Sequence, residues 1–263
     1  MAATSTVPDR LLALGSAFTR HHDALQDIHL LHGANPAGSL LRHIPTAQAL
    51  ARGALEMADA LRTAPQLYHS PDVRAAMERA TQLGALATLA ADHLIDAVDL
   101  LRGQNTVPVP REALLEAGRH TTLAGRLTSL GAEDCLAAAR LIARELHRQD
   151  LGTRHRPPAL SPLQRSTLEA IAAGHITLDR LLDKVRFRRG DARIPITTIR
   201  SLETRKLVHR EPCALILQDE RVHLTAAGCH ALATALSQTS ATTPAATRPP
   251  ARPAATATRV AAR

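Results

Sequence analysis

The stretch that decides the fold of this chain spans residues 161–232. It reads SPLQRSTLEAIAAGHITLDRLLDK at 161–184, RFRRGDARIP at 186–195, ITTIRSLETRKLVHRE at 196–211 and RVHLTAAGCHAL at 221–232. Helical spacing of apolar residues occurs twice in the first segment, a basic loop follows, and a third helical segment begins directly after a proline. Two β-prone runs and a closing helix complete the order. The pattern predicts a small unit of helices with a two-stranded hairpin.

Capping residues set the helix boundaries within this unit. Ser161 precedes a proline, which is typical of a helix N-terminus, and Gly174 ends that first helix. After a short strand, the apolar spacing predicts a second helix over residues 177–185. Pro195 fixes the start of a third helix, residues 196–206.

The third helix has two different faces. Ile196, Ile199 and Leu202 fall on one side at 100° per residue and predict the buried face. The opposite side and its flanks carry hydroxyls and arginines, which can contact phosphates and base edges in the major groove of DNA. These outward residues are Thr197, Thr198, Arg200, Ser201, Thr204 and Arg205. A plain solvated helix face is the other interpretation.

The loop before the third helix is rich in arginine. Its cations surround Gly190, and Asp191 is the one acidic residue after Lys184 and before Pro195. One interpretation is that the arginines clamp phosphates and set the register of the protein on DNA. The other is a solvated loop with no binding role. The arginines are Arg186, Arg188, Arg189 and Arg193.

The hairpin region after the third helix is predicted from β-prone runs at residues 207–210, 214–218 and 221–224, of which the last two pair with each other. Its turn would carry Asp219 and Glu220, whose negative charges DNA would repel. Possible DNA contacts in the hairpin are therefore limited to its basic side chains. These are Arg210, Arg221 and His223. Thr225 is the predicted cap of the closing helix.

Two local patterns in this stretch resemble a known family. P-x-T-x-I-x-x-L-E-x-R-x-L-V at 195–208 and L-T-x-x-G at 224–228 resemble the DNA-binding domain of MarR-like winged-helix regulators. The resemblance covers residues 161–232. It implies a winged helix-turn-helix that binds double-stranded DNA, with residues 196–206 as the recognition helix in the major groove. The two acids at the predicted turn depart from that family, whose wing tips usually carry Arg or Lys.

The first half of the chain reads as helices throughout. Apolar residues recur at helical spacing between capping residues and glycines. The predicted helices run from Asp9 to Gly33, from Thr46 through Leu61, from Pro71 to Arg102, from Pro110 to Leu130, and through Leu136 to about Gln149. At ~1.5 Å per residue the third of these approaches about 50 Å, which is longer than one small domain needs and favours a dimer.

The fold class is therefore predicted to be mainly α, in two domains. Residues 1–151 form an all-α domain for dimerisation or sensing, and residues 152–160, with tandem prolines, form a linker. Residues 161–237 form the winged helix-turn-helix. Residues 238–263 consist of Ala, Thr, Pro and Arg with few large apolar residues and are predicted to be a disordered basic tail.

Charge separates the two halves. Residues 1–159 hold 16 basic and 16 acidic residues, so the whole net charge of +8 lies in residues 160–263. A basic half is typical of a polyanion partner. The three cysteines are odd in number and widely spaced, as in a reduced cytosolic protein. With no signal peptide pattern and no apolar stretch long enough for a bilayer, the protein is predicted to be cytoplasmic, without a membrane partner.

Catalytic motifs are missing from the sequence. No phosphate-binding loop, dinucleotide fingerprint, nucleophile elbow or zinc-protease motif occurs, so no enzyme activity and no cofactor are expected. Histidines at 21, 22, 29 and 32 have no acidic or cysteine partner at ligand spacing, and no metal is expected there. Asp92, Asp96 and Asp99 form an acidic stripe, interpreted as a solvated face or an ion-pair seam.

These observations lead to one functional hypothesis and one alternative. The chain is expected to be a sequence-specific DNA-binding protein and a transcriptional regulator, acting as a homodimer through its N-terminal helices. A small-molecule or protein effector is left open. The alternative is a non-enzymatic scaffold in which the winged helix docks another protein.

Overall fold

The computed structural model describes residues 5–28, 30, 35–65, 67, 70–103, 109–149, 159–179, 184–187, 194–213 and 219–239. Within these ranges the chain is mainly helical, as predicted, with one small antiparallel sheet in its C-terminal part. The helices are α1 (Val7–Gln26), α2 (Pro36–Leu41), α3 (Ile44–Thr63), α4 (Pro71–Arg102), α5 (Arg111–Thr128), α6 (Gly131–Arg148), α7 (Pro162–Ala172), α8 (Ile196–Thr204) and α9 (Ala226–Thr239). The strands are β1 (Ile176–Asp179), β2 (Lys184–Phe187), β3 (Val208–Cys213) and β4 (Asp219–Leu224).

Helix α4 lies at the centre of the N-terminal helices. It begins where the Ser70 hydroxyl accepts a hydrogen bond from the Val73 N–H at 3.3 Å, and it ends at Gly103, so its predicted bounds are confirmed. Helices α2, α3, α5 and α6 all pack against it. Half of its buried residues are alanines, whose small side chains let neighbouring helices approach closely. The length of α4 is therefore used for packing within the chain.

Several other helix boundaries differ from the prediction, and α2 was not predicted. Helix α1 ends at Gln26 instead of continuing to Gly33. Helix α3 begins at Ile44, directly before a proline, instead of at Thr46. Proline suits a first helical turn because the N–H it lacks would have no partner inside the helix.

The predicted helix over residues 177–185 is wrong. Strands β1 and β2 occupy this part of the chain and pair antiparallel, with Thr177 opposite Arg186. Strand β1 also pairs with β4, which gives the sheet order β2-β1-β4-β3. Ile176 and Leu178 are both buried, and this alternation is what a strand packed on one side requires. Between α7 and α8 the described residues contain two strands and no helix, so the first helix of a helix-turn-helix is not seen.

Strands β3 and β4 form a hairpin, but with different bounds from those predicted. Asp219 and Glu220 belong to β4, opposite Cys213 and Pro212, so their assignment to the turn is wrong. Strand β3 contains most of the strand predicted at residues 207–210, whereas residues 214–218, the predicted partner of 221–224, lie outside the described residues. Within the hairpin, Glu220 Oε2 lies 3.4 Å from Arg210 Nη1, which compensates its negative charge.

The L-T-x-x-G pattern has a structural explanation. Thr225 caps α9 as predicted, because its hydroxyl accepts a hydrogen bond from the Gly228 N–H at 3.0 Å. The Thr225 N–H also donates to the Leu207 carbonyl at 3.0 Å. A Cβ atom at position 228 would lie only 1.9 Å from that carbonyl oxygen. Glycine is required here because the start of α9 rests on the backbone that follows α8.

One apolar core joins the two parts of the chain. Leu11 of α1, Ile142 of α6, Leu168 of α7 and Leu232 of α9 belong to the same cluster and are almost completely buried. Helix α9 packs directly against α1 and α6. The segments predicted as separate domains therefore share their core in this fold.

Two parts of the predicted organisation are only partly visible. Of the predicted linker only residues 159 and 160 are described, and of the predicted tail only residues 238 and 239, which belong to the last turn of α9. None of the helices in the described ranges has both the length and the apolar character needed to cross a bilayer.

Candidate nucleic-acid interface

Helix α8 is held by its apolar side, as predicted. Ile199 and Leu202 are fully buried, and α8 packs against α7 and the start of β3. Pro195 gives the extended backbone from which the helix begins, with φ −64° and ψ 139°. The exposed side chains of α8 are Thr197, Arg200 and Thr204. At 100° per residue these three lie on one face of the helix.

Thr198 does not belong to that face. Its relative exposure is 9%, so Thr198 belongs to the buried side of α8. The prediction that Thr198 contacts DNA is wrong for this reason. The sequence predicts Thr198 on a flank of the outward face. Because the helix packs through residues 199 and 202, residue 198 instead faces partly inward.

Ser201 and Arg205 connect α8 to the start of α7. The Gln164 amide donates to the Ser201 hydroxyl at 3.2 Å, and Arg205 Nη1 donates to Gln164 Oε1 at 3.0 Å. The same Oε1 accepts from the Ser161 N–H at 3.1 Å, which completes a capping box. Both residues therefore help to position α8 while lying beside its exposed face.

The acidic residue of α8 is turned away from this face. Glu203 binds Arg210 of β3 through both carboxylate oxygens, one of them 2.9 Å from Arg210 Nη2. This hydrogen bonding to Glu203 raises the pKa of the Arg210 guanidinium. Arg210 also lies 3.4 Å from Glu220, so its charge is compensated by two carboxylates and it offers little to a phosphate.

Strand β2 places Arg186 beside two acids. Arg186 Nη2 donates to Asp179 Oδ2 at 2.7 Å, and Nη1 lies 3.9 Å from Asp219. These contacts raise the pKa of Arg186, with the hydrogen bond to Asp179 as the largest cause. The other three arginines predicted in this loop, Arg188, Arg189 and Arg193, lie outside the described residues.

Arg221 is a structural residue, and its predicted contact with DNA is wrong. It is 3% exposed and lies between β4 and α1. Its Nε and Nη2 donate to the two carboxylate oxygens of Asp23 at 2.7 Å each, and its Nη1 donates to the Gly174 carbonyl at 2.9 Å. His223 is equally buried, and burial lowers its pKa to about 4. Neither side chain can reach a nucleic acid.

The structure thus brings together five of the thirteen predicted contact residues. These are Thr197, Arg200, Ser201, Thr204 and Arg205. It adds Lys206, which is exposed and has a left-handed backbone with φ 57°. Only its place as the last residue of the predicted helix could have indicated it. We call the exposed part, Thr197, Arg200, Thr204 and Lys206, the α8 face.

The two described N-terminal histidines, His21 and His22, do not belong to a ligand cluster of the described residues. His21 and His22 are buried, and His22 Nδ1 lies 3.0 Å from the Gly125 carbonyl oxygen. Neither ring nitrogen of His21 has a hydrogen-bond partner, and burial lowers its pKa to about 4. The histidines at 29 and 32 lie outside the described residues.

Comparison with known proteins adds no assignment. No family model, no curated protein and no solved structure matches this chain.

Proposed function

We propose that the protein binds double-stranded DNA through the α8 face and acts as a transcriptional regulator. The observation that carries the proposal is the composition of this face. Thr197, Arg200 and Thr204 are exposed on one face of the helix, and the one acid of α8, Glu203, is bound to Arg210. Such a surface is neutral or positive over its whole width, as contact with a polyanion requires.

The shape of α8 supports the same conclusion. An α-helix fits the major groove of B-DNA, where Arg can hold guanine through two hydrogen bonds and hydroxyls can contact phosphates or bases. Lys206 lies at the C-terminal end of the helix, next to the backbone that carries α9. A point charge there suits a phosphate contact that orients the helix without reading sequence.

The support of α8 differs from a helix-turn-helix. Helix α7 and the sheet hold it from behind, and the β1–β2 hairpin stands where the family that the sequence resembles has a helix. The Gln164 side chain helps to position α8 in place of that helix, because it contacts both Ser201 and Arg205. The proposed mode of DNA binding therefore requires only that α8 is exposed. It does not require the preceding helix of a helix-turn-helix.

The proposed regulator acts as a homodimer on two half-sites. A DNA site with two-fold symmetry has two half-sites about one helical turn apart. The two recognition helices of a homodimer can each bind one of them. We place the dimer contact on the N-terminal helices. It excludes the surfaces of α4 that are already covered by α2, α3, α5 and α6 of the same chain.

Fluorescence anisotropy with a labelled 30-base-pair duplex of random sequence, and with duplexes enriched from a random library, tests the proposal. For the enriched duplexes we expect Arg200→Ala to weaken binding by about 5- to 150-fold, which corresponds to about 1–3 kcal/mol per lost base contact. Arg52→Ala, which removes an exposed arginine from α3, is the matched control and should bind like the wild type.

A second variant separates charge from base contact. Lys206→Gln should weaken binding to all duplexes alike and reduce the slope of log K against log salt by about 0.9. Absence of binding at low salt, or equal binding by the wild type and Arg200→Ala, would overturn the proposal. Binding of a protein partner that is insensitive to salt would then favour the docking alternative.

A further inference from the structure

Two imidazoles and one carboxylate meet between α4 and α5. His93 Nδ1 lies 3.1 Å from His120 Nδ1, and His120 Nδ1 lies 3.7 Å from Asp96 Oδ2. All three ligand atoms lie within 4.8 Å of one another. We propose that His93, Asp96 and His120 form a binding site for a divalent transition-metal ion such as Zn²⁺. This proposal does not rest on the proposed DNA binding.

The packing of the two helices creates this arrangement. His93 and Asp96 are three residues apart on α4 and therefore share a face. Helix α5 brings His120 to that face, because the contact between α4 and α5 is made by small, fully buried residues such as Ala97 and Ala117. Close approach of the helix backbones leaves the three longer side chains to converge at the edge of the contact.

The distances fit a metal ion as well as a hydrogen bond between the two rings, and the metal ion accounts for one more group. With metal–ligand distances of about 2.0–2.2 Å, the ligand atoms of a tetrahedral zinc site lie about 3.4 Å apart. The observed 3.1 Å and 3.7 Å lie on either side of this value. A hydrogen bond between the two rings would use one N–H and one lone pair, and would leave Asp96 beyond hydrogen-bonding distance. A metal ion uses all three groups.

The ligand types select the class of ion. Imidazole and carboxylate together suit Zn²⁺, Ni²⁺ and Cu²⁺, whereas Ca²⁺ and Mg²⁺ require a set of oxygen ligands. The site opens to solvent beside a surface cavity of about 490 Å³ lined by Asp96, Asp99, Leu100, Gly103 and His120. Three protein ligands and an open side leave a coordination position for water, as in zinc sites that exchange ligands.

Calorimetric titration of the full chain with ZnCl₂, after treatment with EDTA and dialysis, tests the proposal. We expect one high-affinity Zn²⁺ per chain, and no binding of Mg²⁺ under the same conditions. His120→Ala should weaken zinc binding at least tenfold. His147→Ala removes an exposed histidine of α6 and is the matched control, which should bind zinc like the wild type.

A variant on the exposed ligand protects the test against misfolding. The Asp96 side chain is 58% exposed, so Asp96→Asn should leave the fold intact and still weaken zinc binding. Visible absorption of the Co²⁺ form gives a second readout, since a site of this kind should show the intense bands of low-coordinate cobalt in the wild type and lose them in His120→Ala. Equal zinc affinity in the wild type, His120→Ala and Asp96→Asn, or no zinc binding by the wild type, would overturn the proposal.

Discussion

The contact between α1 and the sheet and the α8 face lie in the same part of the fold, but they use polar side chains in opposite ways. At the first, which we call the α1–sheet contact, Asp23 binds Arg221 and Arg20 binds Glu211, and His223 is buried beside them. Every one of these charges has an opposite partner within the chain. On the α8 face, Thr197, Arg200, Thr204 and Lys206 are all exposed to solvent.

This difference shows why charge counts do not locate a binding surface. The C-terminal part of the chain carries the whole positive excess, yet three of its predicted contact arginines are bound to carboxylates. Their role is to hold strands and helices together. A nucleic-acid surface has to be found from exposure, and among the described residues the predicted contacts that remain exposed are concentrated on α8.

The largest expected effect comes from breaking the α1–sheet contact. Asp23→Ala leaves the guanidinium of Arg221 buried without its carboxylate, which should lower the free energy of unfolding by about 3–5 kcal/mol. Urea denaturation followed by circular dichroism measures this loss. Asp59→Ala, which removes an exposed i,i+3 pair with Arg62, is the control and should cost less than about 1 kcal/mol. Similar losses in the two variants would contradict a buried structural pair.

The next effect is a loss of stability in acid that arises at the same contact. The pKa of His223 is about 4 in the folded chain because of burial, whereas the unfolded chain takes up the proton near 6.5. The free energy of unfolding should therefore fall by up to about 3 kcal/mol between pH 6.5 and pH 4 from this residue alone. His223→Phe should flatten that part of the curve of stability against pH; an unchanged slope would exclude His223 as its source.

A second group extends this loss to lower pH. The hydrogen bonds from Arg20 hold the pKa of Glu211 at about 2, so its contribution to stability is present above pH 4.5 and is lost as the pH falls towards 2. His21 adds to the slope between pH 6.5 and 4, because its pKa is also about 4. The α8 face contains no histidine or carboxylate and should not contribute.

The smallest effect is expected on the α8 face. Arg200→Ala should change the free energy of unfolding by less than about 1 kcal/mol, since Arg200 is exposed and the polar interactions of exposed arginines contribute little to stability. Urea denaturation of the variant used for DNA binding provides the measurement. A loss of several kcal/mol would mean that Arg200 holds the fold, and its effect on DNA binding would then say nothing about contact.

Local signals made much of the fold predictable. Ser70 followed by proline, and Gly103 at the other end, gave both bounds of α4. Ser161 and Thr225 cap α7 and α9 as predicted. These signals are contained within a few residues, since a cap acts on the first turn of its own helix.

Contacts between distant residues set the limit of prediction. The short apolar run after Gly174 fits both a helix and a strand, and pairing of β1 with β4 decides between them. Arg221 resembles a wing cation until its partner Asp23, 198 residues away in the chain, is placed beside it. Likewise, His93 and His120 stand 27 residues apart on different helices, and only packing brings them together.

The contact of α1 with β4 and α9 also determines when the fold can be completed during synthesis. Asp23 leaves the ribosome 198 residues before Arg221, which at about 5–20 residues per second is an interval of roughly 10–40 s. Throughout that time the carboxylate of Asp23 and the apolar side of α1 that α9 later covers remain open to water and to other chains. The nascent protein therefore passes through a long stage in which the side of its first helix that faces β4 and α9 is uncovered, and a chaperone that binds exposed helices would find its target there.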